Sequence, residues 1–244
     1  DTNTVAGDTK SSEGADQSLT NTGTCTDKAG NLADSATFTG IYIDKTAPAV
    51  TVTGVADNAT YALGAVPTAG CTTTDQPGLS GVKTNATLSL TGGTVNGVGT
   101  FIAACNGAAD HAGNTASKSV TYKVEYTGVS GILQPINPDN TSVFNRGKAV
   151  PVKFRLAGDE PNGFNYSGWK LQRQQINCAS FDNVDAMQEP IVENPSNAFR
   201  YDAGADQYIY NANFSDKPAG TCWKVVVTLD SNQPLESAIF KLQK

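Results

Sequence analysis

Side chains that carry oxygen ligands gather at two places along the 244-residue chain. The two sets are Asp27, Asn31 and Asp44, followed by Asp110, Asn114 and Glu125. Carboxylate and amide oxygens are the ligands that a hard cation such as Ca²⁺ prefers. We therefore expect that each set could hold calcium where one domain meets the next, with no other cofactor. The alternative is that these side chains only build turns, because Asp and Asn readily bond to nearby backbone N–H groups.

Residues for hydrolytic chemistry are sparse. His111 is the one histidine, and no motif places a nucleophile and an orienting acid beside it. Glycoside hydrolysis needs two carboxyl groups that face each other across a cleft. Acidic residues do cluster along one stretch, at Asp182, Asp185, Glu189 and Glu193. A polar loop explains that cluster equally well, so we expect no enzymatic activity.

Aromatic side chains in the second half of the chain could bind sugars. Tyr166 and Trp169 lie close together in a polar stretch, and Trp169 is the better candidate for exposure. Trp223 alternates with Val225 and Val227, which predicts that it is buried. The alternative for Tyr166 and Trp169 is ordinary core packing.

Five cysteines occur, at positions 25, 71, 105, 178 and 222. No pair has the C-x-x-C spacing of a zinc site, so disulfides are the better interpretation. Disulfides indicate an oxidising compartment, and we expect a secreted or cell-surface protein. One cysteine must remain without a partner within the chain.

The composition excludes several other classes of protein. The net charge is −6, and no basic face is visible that could displace counterions from nucleic acid. No stretch of about 20 apolar residues predicts a membrane span. The first residues do not resemble a signal peptide, so we expect upstream domains of the same precursor. Helical periodicity is also lacking, which favours an all-β protein.

An internal repeat organises the first half of the chain. Asp-Lys-Ala-Gly-Asn at 27–31 recurs as Asp-His-Ala-Gly-Asn at 110–114, each time before a Thr- and Ser-rich strand. An Asp-Lys-Thr-Ala-Pro stretch at 44–48 separates the copies. The paired motif resembles the immunoglobulin-like repeats of bacterial adhesins and exported hydrolases over residues 15–126. The resemblance implies tandem β-sandwiches, with Cys71 and Cys105 bridging two sheets and Cys25 unpaired.

A second resemblance covers residues 128–244. Val-Pro-Val-Lys-Phe at 150–154 is similar to the Pro-x-Lys-Phe signature of a bacterial C-terminal domain that follows such repeats. Cys178 and Cys222 are its natural pair, and their bridge should pin a loop to the sheet. The alternating strand around Pro151 requires that this proline lie at an edge or a bulge. In the repeat, Asn106 and Gly107 predict a bulge that restores strand parity between Cys105 and its turn.

Together these patterns predict three segments: the end of a truncated repeat at 1–43, a complete repeat at 44–127 and a C-terminal sandwich at 128–244. The function that they favour is a non-catalytic structural or adhesive module of a larger bacterial surface or secreted protein. The alternative is a carbohydrate-binding accessory tail of an exported hydrolase. Partners would be a surface glycan or protein ligand, with no nucleic acid.

Overall fold

The computed structural model describes residues 8–21, 23–157, 164–184, 189–191 and 198–244. Every regular element in these ranges is a β-strand, which confirms the all-β prediction. The strands are β1 (Gly14–Thr20), β2 (Thr37–Ile43), β3 (Ala49–Thr53), β4 (Thr60–Ala62), β5 (Gly70–Thr74), β6 (Val82–Thr84), β7 (Thr87–Gly92), β8 (Gly99–Asp110), β9 (Thr115–Glu125), β10 (Ser142–Asn145), β11 (Val150–Phe154), β12 (Lys170–Ile176), β13 (Glu189–Pro190), β14 (Arg200–Asp202), β15 (Gln207–Ala212), β16 (Cys222–Thr228), β17 (Pro234–Glu236) and β18 (Phe240–Gln243).

The chain divides into two compact units. Unit 1 comprises the described residues of Asp1–Ala56, Thr68–Leu90 and Ala103–Val120. Unit 2 comprises the described residues of Asp57–Pro67, Thr91–Ile102 and Thr121–Lys244. Strands β8 and β9 contribute residues to both units, and the predicted division at residues 43 and 127 stays a prediction.

Two sheets make up the repeat. Strands β3 and β5 pair antiparallel, while β4, β9, β8 and β6 follow one another in the second sheet, with β7 also pairing with β8. A disulfide joins Cys71 on β5 to Cys105 on β8, and so links the sheets. An inter-sheet bridge between these strands is a hallmark of the immunoglobulin-like sandwich. The predicted fold class and this predicted disulfide are both confirmed.

A bulge interrupts the alternation of β8. Cys105 and Ala108 are buried, while Asn106 and Gly107 between them are both exposed. Gly107 has a φ of 82°, a conformation that glycine adopts without steric cost. The extra residue returns the inward face to the core, as the sequence predicts.

The C-terminal sandwich lies in unit 2 and has a six-stranded and a three-stranded sheet. Strand β11 is at the edge of the order β11-β15-β14, which explains why Pro151 is tolerated without a backbone donor. Val150, Val152 and Phe154 are fully buried, and Trp223 on β16 is 1% exposed.

The second disulfide lies within one sheet of this sandwich. Cys222 opens β16 and is in register with Ile176, the last residue of β12. Cys178 follows two residues later in an exposed loop and bonds to Cys222. The bridge therefore pins the loop to the neighbouring strand, as predicted.

Candidate metal centre

The two copies of the repeated motif form the same turn. Asp27 accepts hydrogen bonds from the backbone N–H and side-chain amide of Asn31, at 2.9 and 2.8 Å. Asp110 accepts the equivalent pair from Asn114, at 2.8 and 2.7 Å. These bonds lower the pKa of Asp27, with the Asn31 side chain contributing most.

Three carboxylates gather at the second copy of the turn, within unit 1. Asp44 follows β2, Asp75 follows β5, and Asp110 is the last residue of β8. One oxygen from each lies within 4.8 Å of the other two. Because Ca²⁺ binds oxygen at 2.3–2.6 Å, this spacing suits ligands on a single ion. Asp110 is fully buried, and the other two are half-buried.

Asp75 has one carboxylate oxygen that no described residue satisfies. Its Oδ1 accepts the N–H of Gln76 at 2.9 Å. Its Oδ2 is buried and has no hydrogen-bond partner among the described residues. A buried carboxylate oxygen without a partner loses its hydration and gains nothing in return, which is unfavourable. A bound cation would satisfy it, so the residues present fit a metal.

Asp44 accepts several hydrogen bonds that favour its ionised form. The Ser80 hydroxyl and backbone N–H both donate to Asp44 Oδ2, the latter at 3.0 Å. Thr46 donates its N–H to Asp44 Oδ1 at 3.1 Å. The Ser80 hydroxyl contributes most to lowering the pKa of Asp44. Burial is the largest influence on the pKa of Asp110 and raises it, but the hydrogen bonds from Asn114 and Gly113 together lower the pKa below its ordinary value.

A fourth carboxylate extends this cluster toward the first strand. Glu13, which precedes β1, accepts a hydrogen bond from Thr46 Oγ1 at 2.8 Å and another from the side-chain amide of Gln76. These bonds, with that from Gln76 the larger, lower its pKa, while the charge of Asp44 opposes the shift. Glu13 thus connects the β1–β2 hairpin to the segments that carry Asp44 and Asp75.

The structure groups the predicted metal ligands differently from the sequence analysis. Asp27 and Asn31 precede β2, whose seven residues span roughly 20 Å before Asp44 is reached. Glu125 ends β9 and is likewise separated from Asn114 by that whole strand. Asp44 instead joins Asp110 and Asn114, and the Asn114 amide donates to the Asp44 carbonyl at 3.3 Å.

Asp75 was missed because no motif marks it. The pairing of β3 with β5 could have indicated it, since Ala49 is in register with Thr74. That register brings Asp75 beside the segment that leads from Asp44 into β3. The carboxylates therefore come from loops at one end of the repeat.

Trp169 is buried, as the core-packing alternative expects. Trp169 is 3% exposed, and its ring centroid lies 5.0 Å from that of Tyr208 and 5.6 Å from that of Phe154. Its indole N–H donates to Asp230 Oδ1 at 3.1 Å. Tyr166 is half-buried against it, with ring centroids 5.4 Å apart. Core packing is the better interpretation, since Trp169 presents no open face to a sugar.

The remaining candidates are dispersed. Asp185 and Glu193 lie outside the described residues, while Glu189 pairs with Arg173 and Lys217. His111 is exposed in its turn. Cys25 is a half-buried free thiol.

No family model and no curated protein matches the chain. Among solved structures it is similar to a tandem pair of titin immunoglobulin domains, with 9% identity over 81% of this chain and 98% of that chain, and a TM-score of 0.25. Tandem immunoglobulin repeats of Dlar give 12% identity over 59% of this chain and 60% of that one, with a TM-score of 0.19. Within the described residues, no helix has the length and apolar character needed to cross a membrane.

Proposed function

We propose that this chain is a non-catalytic structural or adhesive module of a secreted or cell-surface protein, and that Ca²⁺ stiffens its first junction. Asp44, Asp75 and Asp110 would hold the ion. The observation that carries the proposal is the buried, unpartnered Oδ2 of Asp75 within a group of three carboxylates. Calcium supplies positive charge and flexible oxygen coordination, which this group of acids needs.

Calcium suits the set better than magnesium. The ligands are acidic side chains, and the backbone carbonyl of Asp44 lies beside them through its bond to Asn114. Magnesium demands near-ideal octahedral geometry and gives up its waters reluctantly. Calcium accepts irregular sets of carboxylates and carbonyls, such as three loops provide.

The position of the cluster supports a mechanical role. Asp44 follows the last strand of the β1–β2 hairpin, while Asp75 and Asp110 belong to the repeat. An ion held by all three would restrict rotation about the segment 44–48. Pro48 in that segment already fixes one backbone angle, so little freedom would remain.

Two disulfides support an exported location. Cys71–Cys105 and Cys178–Cys222 both form in the structure. Such bonds persist in oxidising compartments and are rare where thiols are kept reduced. Extracellular fluids are also where a calcium site of ordinary affinity would be filled.

Calorimetric titration of the full chain with CaCl₂ tests the proposal. The wild type should bind one ion, and Asp75→Asn should lose most of that affinity. Asp27→Asn is the matched control, because it alters the sibling turn and leaves the three-carboxylate cluster intact. Absence of calcium binding by the wild type, or equal binding by Asp75→Asn, would contradict it.

A further inference from the structure

Asp230 lies in the turn after β16 and receives hydrogen bonds from three directions. Tyr126 donates its hydroxyl to Oδ1 at 2.7 Å, Trp169 donates its indole N–H to the same oxygen at 3.1 Å, and Asn96 donates its amide to Oδ2 at 2.9 Å. Asn96 and Tyr126 belong to the predicted repeat, whereas Trp169 and Asp230 belong to the predicted C-terminal segment. All four residues are in unit 2.

Two side-chain amides reinforce this contact by pairing with backbone groups. Gln233 Oε1 accepts the N–H of Tyr126 at 2.9 Å, and Gln233 Nε2 donates to the Tyr126 carbonyl at 3.3 Å. Asn96 forms the same kind of pair with Asn165, at 2.8 and 2.7 Å. Each side-chain amide thus bonds to both the backbone N–H and the backbone carbonyl of one residue, as the backbone of a neighbouring β-strand does.

The contact is buried as well as polar. Tyr126 and Trp169 are each 3% exposed. The Tyr126 ring packs edge-on against Phe164, with centroids 4.8 Å apart. Burial, and then the hydrogen bond to Asp230, raise the pKa of Tyr126 far above its ordinary value. Its hydroxyl is therefore protonated at neutral pH and donates to Asp230.

Gly168 allows the close approach of Asp230. A Cβ at position 168 would lie 2.7 Å from the Asp230 Cβ, a distance that real contacts do not reach. The absence of a side chain at Gly168 is therefore required for Asp230 to sit where it meets Tyr126 and Asn96.

We infer that the C-terminal sandwich has a surface that binds the end of the repeat in the same chain, with Asp230 at its centre. The partner that this surface fits is the pair formed by the loop at Asn96 and the residue that follows β9, Tyr126. The residue that follows β9 and the loop at Asn96 are then held against the sandwich within unit 2. This inference goes beyond the proposed function and needs no metal.

Hydrogen exchange on the full chain tests the inference through Asn96→Ala. Asn96 lies in a part-exposed loop of the repeat, far in sequence from Trp169, so the variant should fold. Losing its bond to the Asp230 carboxylate should speed exchange of the Trp169 indole N–H and of the Tyr126 amide about tenfold or more. Asp230→Asn should speed exchange at the same two sites and in the Asn96 loop.

Asp139→Asn is the matched control, because Asp139 bonds only locally to Thr141. It should leave exchange at Trp169 and Tyr126 unchanged. Two results would overturn the inference. One is that Asn96→Ala leaves the Trp169 indole N–H at its wild-type rate. The other is that Asp230→Asn speeds exchange in β11 and β15 as much as at Tyr126, which would make Asp230 a stabiliser of its own sandwich alone.

Discussion

The side-chain amide of Asn114 donates to the backbone carbonyl of Asp44 across 3.3 Å. Asn114 closes the last hairpin of the repeat, whereas Asp44 lies in the segment that opens it. The bond therefore joins the beginning of the repeat to its final turn, and Asp110 in that turn also belongs to the carboxylate cluster. An ion held there would connect the same two points of the repeat a second time.

Calcium should raise the thermal stability of the wild type, and Asp110→Asn should abolish that rise. Free calcium at about 100 times the dissociation constant would contribute about 2.7 kcal/mol to the free energy of unfolding. Thermal unfolding with calcium and with chelator measures the difference. Asp27→Asn, which disturbs the equivalent turn, should show the same calcium-dependent rise in melting temperature as the wild type. A wild-type melting temperature that is the same with calcium and with chelator would refute the site.

Removal of the inter-sheet disulfide should destabilise the repeat strongly. Cys71 and Cys105 are 34 positions apart, so the bridge contributes about 4 kcal/mol in the chain-entropy model. Replacing both by serine should lower the free energy of unfolding by this order in urea titration. Cys25→Ser is the control and should change stability little, because Cys25 forms no bridge.

Gly168→Ala should weaken the contact between the repeat and the C-terminal sandwich. The new methyl group would meet the Asp230 side chain at 2.7 Å, and overpacking of this kind costs about 1–3 kcal/mol. Gly147→Ala offers a matched comparison, because its added Cβ meets nothing within 4 Å. Chemical denaturation of both variants should separate them; equal stabilities would mean that Asp230 moves aside freely.

Acid should remove a small stabilising contribution from the ion pairs around Arg173. Lys217, and then Arg173, lower the pKa of Glu189, and Arg173 lowers that of Asp216 against the opposing effect of burial. A carboxylate whose folded pKa is lowered stabilises the fold above its ordinary pKa and loses that effect as pH falls through the lowered value. The loss should therefore begin below about pH 4.5.

The size of this acid effect should be modest. The Glu189 and Asp216 side chains are 47% and 56% exposed, and exposed pairs contribute roughly 1 kcal/mol or less. Glu189→Gln should flatten the fall in stability between neutral pH and about pH 3. Glu236→Gln is the control, because Glu236 pairs with Lys224 and not with Arg173. It should leave the pH dependence of stability as in the wild type.

Strand alternation made the architecture predictable. The inward sets on β11 and β16 follow directly from a period of two. Pro151 had to lie at an edge or a bulge, because proline lacks a backbone donor. The pairing of the cysteines was implied by the resemblance to known domains, and the alternation of β16 added only that the second bridge pins a loop. The inward faces of the strands depend only on residues close together in the chain.

The metal cluster and the contact at Asp230 were harder to predict. Asp75 carries no local motif and becomes a candidate only when β3 and β5 are known to pair. Trp169 stands in a polar stretch, and the rings that bury it, among them Phe154 and Tyr208, come from other strands. Contacts between residues of distant segments can be predicted from a single sequence only when the complete strand topology is known.

The bulge at Asn106 and Gly107 has a consequence for how such repeats diverge. Cys25 stands two positions before its turn and Cys105 stands five before, yet both turns have the same hydrogen bonds. The two spacings differ by an odd number of residues, which would reverse the faces of the strand. One extra residue at the Gly107 bulge restores the alternation, so the core face still points inward. We therefore expect this strand to accommodate an insertion or deletion of odd length while the turn that carries Asp110 stays intact.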